Sequence, residues 1–238
     1  MADGLYVGMA GMAARSEQLD SIADNLANVQ TPGFKAGRPA FESFLPPGAD
    51  RNNDKVAPAA VATGIDLSPG AMVNTGNPMD VLPENGAFLA VRMPDASLAY
   101  TRNGKLHASD DGLLLAGGHP LVDREGELIR TPPQAKIDVD VNGQVFADGA
   151  VVGQIGMAVL SGPLERHGPA LLAPAKDGGA AIPTEAKLQR GMIELGNAPA
   201  MEAAVQMISA QRHYETSAQA LQTYKRLDDR ASEVGRVR

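Results

Sequence analysis

The hydrophobic pattern near the N-terminus repeats every seven residues. The row consists of Leu5, Met12, Leu19 and Leu26, with Met9 and Ile22 beside it. This spacing predicts an amphipathic helix over residues 4–28 that carries one apolar seam. Thr31 precedes Pro32, which biases it away from the helical conformation, and Gly33 admits a positive φ. The helix is therefore expected to end near Val29.

The pattern changes to strict alternation between about residues 71 and 160, which is typical of β-strands. Asn103-Gly104 and Asn142-Gly143 each separate two alternating runs, and both dipeptides are strong hairpin signals. Turn signals recur at short intervals and no strand alternates with a helix. The sequence therefore predicts a central antiparallel β-domain, barrel-like or sandwich-like.

Helical spacing returns from Ala198 to about Val234. The seam of this second helix is formed by Ala204, Met207, Gln211, Tyr214, Ala218 and Leu221. Each terminal helix has one narrow apolar seam and no neighbour in sequence to cover it. Pairing of the two helices would cover both seams, and copies of the pair packing on one another would bury more apolar surface.

The predicted fold class is α+β, with long N- and C-terminal helices pairing as a coiled coil around a central, mainly antiparallel β-domain. Residues 1–35 and 191–238 are expected to form one discontinuous helical domain. Residues 36–70 are rich in Pro, Gly, Ala and polar residues, so we predict a connector or irregular loop there. Residues 71–190 are expected to form a β-rich outer domain.

Composition narrows the function classes. The 238-residue chain is 44% hydrophobic and can bury a core, but its net charge of −7 argues against binding to nucleic acid. No run approaches the roughly 18 apolar residues of a membrane span, so we expect no membrane insertion. The N-terminus lacks the basic and apolar regions of a cleavable signal peptide. The absence of cysteine fits a cytosolic protein, or one exported without disulfides.

Side chains that carry chemistry are scattered along the sequence. The four histidines lack the spacing of a metal site, and the adjacent acids at Asp110-Asp111 lie beside a turn glycine. No nucleophile elbow or phosphate-binding loop is present in its required context. We therefore expect no catalytic, cofactor-binding or metal-binding residues, and the chain is predicted not to be an enzyme.

Four ordered blocks of the sequence resemble the flagellar rod, hook and hook-associated axial proteins: 21–35, 70–91, 100–122 and 191–215. In the first block the resemblance lies in the motif Asn25, Leu26, Ala27, Asn28, then Thr31, Pro32, Gly33 and Phe34. In that family the motif marks the end of the first axial helix. In the last block the matching positions are Glu194, Asn197, Met207, Ile208, Arg212 and Tyr214.

The resemblance implies a structural subunit of the flagellar basal-body rod, most similar to the proximal-rod subunit. Such subunits assemble helically with copies of themselves and with other rod subunits, and the rod transmits motor torque across the periplasm. The family leaves the cell through the flagellar type III export apparatus. The implied assembly interface consists of Leu5, Met9, Met12, Leu19, Ile22 and Leu26 in the first helix, and Met207, Ile208, Tyr214, Ala218 and Leu221 in the second.

Three alternatives remain at this point. The first is a distal-rod subunit or another axial, hook-like subunit. The second is a β-domain that binds or cleaves cell-wall glycan, since a glycan hydrolase needs two carboxylates about 5 to 10 Å apart. The candidate carboxylates are Asp80, Glu84, Asp110, Asp111 and Asp123, although turn formation explains most of them. The third is a cytosolic coiled-coil adaptor, which leaves the β-domain blocks unexplained.

Overall fold

The computed structural model describes residues 2–44 and 57–236, with side chains for residues 9, 11–38, 64–223, 225–227 and 230. Within them the chain forms two α-helices and eighteen β-strands. Helix α1 spans Ala2–Ala27 and helix α2 spans Ala200–Arg236. The strands, in chain order, are β1 (Gly37–Phe44), β2 (Ala57–Ile65), β3 (Met72–Asn74), β4 (Val81–Pro83), β5 (Ala87–Arg92), β6 (Leu98–Thr101), β7 (Leu106–Ala108), β8 (Leu114–Ala116), β9 (His119–Pro120), β10 (Ile137–Val139), β11 (Gln144–Ala147), β12 (Ala150–Gln154), β13 (Met157–Ser161), β14 (Leu164–Arg166), β15 (Leu171–Pro174), β16 (Ala180–Pro183), β17 (Leu188–Arg190) and β18 (Met192–Glu194).

The chain divides into two compact units. The helical unit comprises Met1–Ala27, Gly37–Gly64 and Pro199–Arg238, and the β unit comprises Asn28–Ala36 and Ile65–Ala198. This division differs from the predicted domains, because residues 28–35 and 191–198, which were predicted to belong to the helical domain, lie in the β unit. Backbone hydrogen bonds, such as the one from the Gly33 N–H to the Glu194 carbonyl, hold these residues in that unit.

The segment predicted to be an irregular connector contains regular structure. Strands β1 and β2 pair with each other and lie in the helical unit. Residues 45–56 of the predicted connector lie outside the described residues. The prediction of irregular structure was wrong for the two strands because their alanines and prolines hide the alternation that identifies a strand.

The predicted coiled coil is wrong. Most of the regular elements are strands, and among the side chains that the structure describes, α1 and α2 share one short apolar cluster that contains Ile22, Ala203 and Ala210. After Ala210 three exposed polar residues follow on α2, Gln211 to His213, so the apolar seam is interrupted there. Among the described residues no supercoiled seam continues along the helices. The predicted α+β class fits only in that two terminal helices accompany a β-domain.

The β unit contains a six-stranded antiparallel sheet. Its strand order is β14-β15-β6-β5-β13-β16. Four smaller sheets accompany it among the described residues: β10-β11-β12, β7-β8-β9, β17-β4 and β18-β3. In the last of these, β18 near the C-terminal helix pairs antiparallel with β3, more than a hundred residues earlier, through Ile193 and Val73.

The two Asn-Gly dipeptides behave differently. Asn142-Gly143 joins β10 to β11 in a hairpin, with Gly143 at a φ of 79°, as predicted. The hairpin predicted at Asn103-Gly104 is wrong, because β6 pairs with β5 and β15 while β7 pairs with β8. A Cβ atom on Gly104 would lie 1.6 Å from the carbonyl oxygen of Val81. Glycine is therefore needed here for close backbone approach and not for a turn.

The main apolar core lies inside the β unit. Its fully buried side chains come from eight different strands or loops and include Val81, Leu89, Leu114, Leu121 and Ile155. A second cluster forms around Phe88, Leu160 and Leu172. Aliphatic side chains supply most of this core, which agrees with the low aromatic content of the sequence.

Candidate functional site

Part of the predicted helix interface is brought together in the helical unit. Leu19, Ile22 and Leu26 of α1 pack in one cluster with Ala203, Met207 and Ala210 of α2. Ile22 is only 2% exposed, and the alanines allow the two helices to approach closely. These positions therefore hold the helices of a single chain together.

Other predicted interface residues lie outside this cluster. Met9 and Ile208 are exposed, while Met12, Tyr214, Ala218 and Leu221 are half-buried. The side chain of Leu5 is outside the described residues. The role of all these residues in assembly stays a prediction.

Helix α2 also carries a second apolar row that faces solvent. Met201, Val205 and Ile208 follow one another at helical spacing, and their side chains are 83%, 63% and 54% exposed. The row is offset by two positions from Ala203, Met207 and Ala210, which corresponds to about 200° around the helix. It is therefore available for contact with another chain.

The motif turn after α1 has a defined hydrogen-bond pattern. In the β unit, the Thr31 N–H donates to the Asn28 carbonyl (3.0 Å), and the Thr31 hydroxyl donates to the Asn28 side chain (3.1 Å). Gly33 has a φ of 73°, and a Cβ there would lie 2.2 Å from the Asn103 nitrogen. The Thr-Pro-Gly motif thus sets a backbone path that other residues cannot follow.

The motif residue Asn25 acts within the helical unit. Its side-chain oxygen accepts the N–H of Gly37 (2.8 Å), and its side-chain nitrogen donates to the carbonyl of the same residue (2.9 Å). Both backbone groups at the start of β1 are thereby satisfied by one amide, which fixes β1 against the end of α1.

Beside the turn lies a buried ionic cluster of Lys35, Arg102 and Glu194, which we call the ionic cluster. Their side chains are between 0% and 5% exposed. Glu194 accepts hydrogen bonds from the Lys35 ammonium (2.6 Å), the Arg102 guanidinium (2.8 Å from Nε, and also from a terminal nitrogen) and the Gly70 N–H (2.9 Å). Both carboxylate oxygens are thus saturated.

The two cations of the ionic cluster are also bonded to backbone carbonyls. Lys35 donates to the carbonyl of Ser68 (2.7 Å), and Arg102 donates to those of Pro83 (2.9 Å) and Ala87. The Arg102 guanidinium also lies 5.7 Å from the centre of the Phe88 ring. Charged groups this deeply buried are tolerated only when they are paired and hydrogen-bonded in this way.

In the ionic cluster two cations contact one carboxylate, and burial together with these contacts shifts the pKa values of Glu194 and Lys35. Burial alone would raise the pKa of Glu194, but the bonds from Lys35 and Gly70 and the charge of Arg102 hold it below the ordinary 4.5. Burial lowers the pKa of Lys35 below 10.5, and Glu194 opposes this shift only in part. Glu194 is therefore held in its charged form.

Phe34 and Asn197 extend the contacts around the ionic cluster. Phe34 is fully buried, packs with Ala36 and Ala198, and lies 4.8 Å beneath the guanidinium of Arg166. The Asn197 side chain accepts the N–H of Ala36 (2.6 Å) and donates to the backbone beyond β2. The motif residue Phe34 is thus part of a packed junction and not of an exposed surface.

Sequence reasoning missed the ionic cluster. No sequence pattern indicated a role for Lys35 or Arg102, and Glu194 was identified only as a match to the family. One signal was available: Lys35 follows Phe34 directly, and Glu194 lies between Ile193 and Leu195, so both charges interrupt apolar segments. Their partnership was not readable because they are 159 positions apart.

Two of the candidate carboxylates of the glycan alternative, Asp80 and Asp123, have structural roles. Asp80 is buried and accepts a hydrogen bond from the Asn77 side chain (3.2 Å), and Asp123 accepts two backbone N–H bonds in its own turn. Within the residues that the structure covers, no group of three or more His, Asp or Glu side chains could hold a metal ion. In the same part of the chain neither helix is long and apolar enough to cross a membrane.

Two family models match the chain, one at each end. A model of flagella basal body rod proteins matches residues 5–35, which include most of α1 and the motif turn. A model of the C-terminal part of flagellar basal body rod FlgEFG proteins matches residues 189–234, which include β18 and most of α2.

Similar proteins extend the match over the whole chain. Flagellar basal-body rod protein FlgF of Mesorhizobium japonicum is 29% identical over 246 residues, covering 99% of both chains. Flagellar basal-body rod protein FlgG of Buchnera aphidicola subsp. Schizaphis graminum is 26% identical over 269 residues, covering 98% of this chain and 100% of the relative. Flagellar basal-body rod protein FlgF of Escherichia coli is 33% identical over 147 residues, 62% of this chain and 58% of the relative.

The proteins matched at both ends and along the chain are flagellar rod proteins, which are structural subunits and not enzymes. Over almost its whole length the chain is similar to flagellar basal-body rod proteins, and both of its ends match family models of these proteins. It is a structural component of the bacterial flagellar basal body, where rod proteins assemble with other rod components.

Proposed function

We propose that this chain is the proximal-rod subunit and that it assembles helically with copies of itself and with neighbouring rod subunits. The observation that carries this proposal is the solvent-facing apolar row Met201, Val205 and Ile208. It lies on α2, inside the segment that matches the rod protein model. The proximal position is supported by the length of the chain and its single small β-domain.

Two surfaces of the terminal helices have different tasks in this proposal. The cluster that contains Leu19, Ile22, Leu26 and Met207 joins the helices of one subunit. The exposed row on α2, with the exposed Met9 on α1, contacts neighbouring subunits. Burial of apolar side chains between subunits is favourable, at about 25 cal/mol per Å². Each added subunit repeats this contact, so a small gain per subunit stabilises a long assembly.

The resemblance to axial proteins supports the remaining features of the proposal. The subunit leaves the cytoplasm through the flagellar type III export apparatus and forms part of the drive shaft that crosses the periplasm. There it transmits motor torque by rigid contacts rather than by chemical turnover.

The test replaces Ile208 with Asp, and its matched control replaces Ser209 with Asp. Both residues are exposed neighbours on α2, so the two variants carry the same added charge and both should fold. A charge at a dry interface is unpaired and costly. We expect I208D to be non-motile and to yield incomplete rods in isolated basal bodies, while S209D swims normally. Complete rods from I208D would contradict the proposed contact surface.

A further inference from the structure

The β unit is linked to the rest of the chain through three short segments, which we call the crossing segments. They are residues 28–36, 65–70 and 191–198, and all four points at which the chain passes between the units lie at their ends. Any force carried along the backbone from α1 or α2 therefore enters the β unit through these segments.

The crossing segments are bonded to one another. The first and second are joined by the Asp66 N–H to the Ala36 carbonyl (2.8 Å) and by Lys35 to Ser68 (2.7 Å). The first and third are joined by the Gly33 N–H to the Glu194 carbonyl (2.8 Å). The side chains of Glu194 and Asn197 reach both of the other segments. Three pieces of chain distant in sequence are thus held at one place.

The apolar contacts of the crossing segments lie outside the main core of the β unit. Phe34, Ala36 and Ala198 form a small cluster of their own, and Ile65 and Leu67 pack against the second cluster around Phe88. The bonds that join the crossing segments to one another are polar, and several of them converge on one carboxylate. Arg102, which follows β6, connects that carboxylate to the large sheet. Regions that are held mainly by polar bonds can open without unfolding the rest of a protein.

We infer that Glu194 is the closing residue of a clamp that holds the three crossing segments together on the β unit. With Glu194 charged, neither the first nor the third crossing segment can separate without leaving a buried charge unpaired. The second cannot separate without taking a hydrogen-bond partner from Glu194 and from Lys35. Without that charge the segments open together, while the core strands stay folded. The role of the clamp in transmitting torque rests on the proposed function, but its opening is a property of the free subunit.

The test is amide hydrogen exchange on the full-length chain carrying E194Q. Its matched control is E185Q, which removes the exposed ion pair between Glu185 and Arg124. In E194Q we expect exchange in 33–36, 68–71 and 192–197 to become roughly 100-fold faster or more, because one partner of a buried pair is lost. The amides of β5 and β13 should stay strongly protected in E194Q while those of the crossing segments lose most of their protection, and E185Q should match the unmodified chain throughout.

Three outcomes would overturn the clamp: unchanged exchange in the crossing segments, loss of protection in β5 and β13 to the same low level as in the crossing segments, or an E194Q chain without a folded core. The last two would mean that Glu194 is simply part of the core. A second variant, K35M, leaves the Arg102–Glu194 pair intact and should reduce protection mainly in 66–70. Loss of protection in the core strands of K35M would also contradict the inference. Since the test uses free subunits, its result is independent of the assembly test on I208D.

Discussion

Replacing Arg102 with Met is expected to destabilise the β unit strongly. The change keeps an unbranched side chain of similar length but removes the guanidinium from a site where it is only 5% exposed. Glu194 would lose two of its bonds, and the carbonyls of Pro83 and Ala87 would lose a donor. Lys35 alone would then balance the buried carboxylate.

The magnitude follows from the loss of one partner of a buried ion pair, which costs about 3–5 kcal/mol. Loss of the cation over the Phe88 ring adds about 0.5–1 kcal/mol. The surface pair of Arg124 and Glu185, which are 38% and 79% exposed, provides the control. Its R124M variant should cost no more than about 1 kcal/mol, because solvent screens that pair.

The assay is urea unfolding of the full-length chain, followed by the circular dichroism of the strands. A triple variant, K35M with R102M and E194L, removes all three charges together and should cost less than R102M alone. Apolar replacement of a complete buried ionic group is often neutral or stabilising. If R102M and R124M lowered the free energy of unfolding equally, or if the triple variant were the sum of its parts, this account of the ionic cluster would be wrong.

Three further predictions concern acid pH, one glycine and the helix cluster. Because the pKa of Glu194 in the folded chain lies below 4.5, the charged carboxylate stabilises the fold above that pH, and this contribution is lost as the pH falls further. E194Q should therefore flatten the acid part of a profile of unfolding free energy against pH. An unchanged profile would contradict this prediction. Gly104→Ala should lower the free energy of unfolding by at least about 3 kcal/mol, because the added Cβ would lie 1.6 Å from the Val81 carbonyl oxygen. Gly86→Ala has a positive φ but open space around the Cβ, so it should lower that free energy by only about 1–2 kcal/mol in the same urea titration. Equal losses for the two variants would contradict the close approach at Gly104. Ile22→Ala should destabilise the helical unit by about 2–4 kcal/mol, measured on the helical dichroism band, and a cost below about 1 kcal/mol would show that the helix cluster does not hold α1 and α2 together.

Local signals predicted part of the fold. The end of α1, the hairpin at Asn142-Gly143 and the central antiparallel β-domain could be read from residues adjacent in sequence. The hairpin at Asn103-Gly104 could not, because the close approach of a distant strand at Val81 decides that backbone path. The same dipeptide thus has two structural causes, and only the tertiary fold separates them.

The helix contacts and the ionic cluster could not be predicted from the sequence for the same reason, because both depend on residues that are distant in sequence. The heptad pattern placed Met9 beside the first seam and Gln211 within the second, but both residues are exposed, because spacing alone does not tell which residues a helix buries. The coiled coil was predicted on that basis and was wrong. The ionic cluster joins residues 35, 102 and 194, whose partnership no local pattern records. The family motif did identify Thr31 to Phe34 as a special turn, although not what the turn packs against.

The proposed function is tested most directly by the location of the subunit in a side-chain-resolution density map of isolated basal bodies. We expect the chain to lie in the proximal part of the rod, with Met201, Val205 and Ile208, which are exposed in the free subunit, buried against a neighbouring subunit. A map without this subunit in the rod, or one in which the row on α2 faces solvent at every copy, would contradict it.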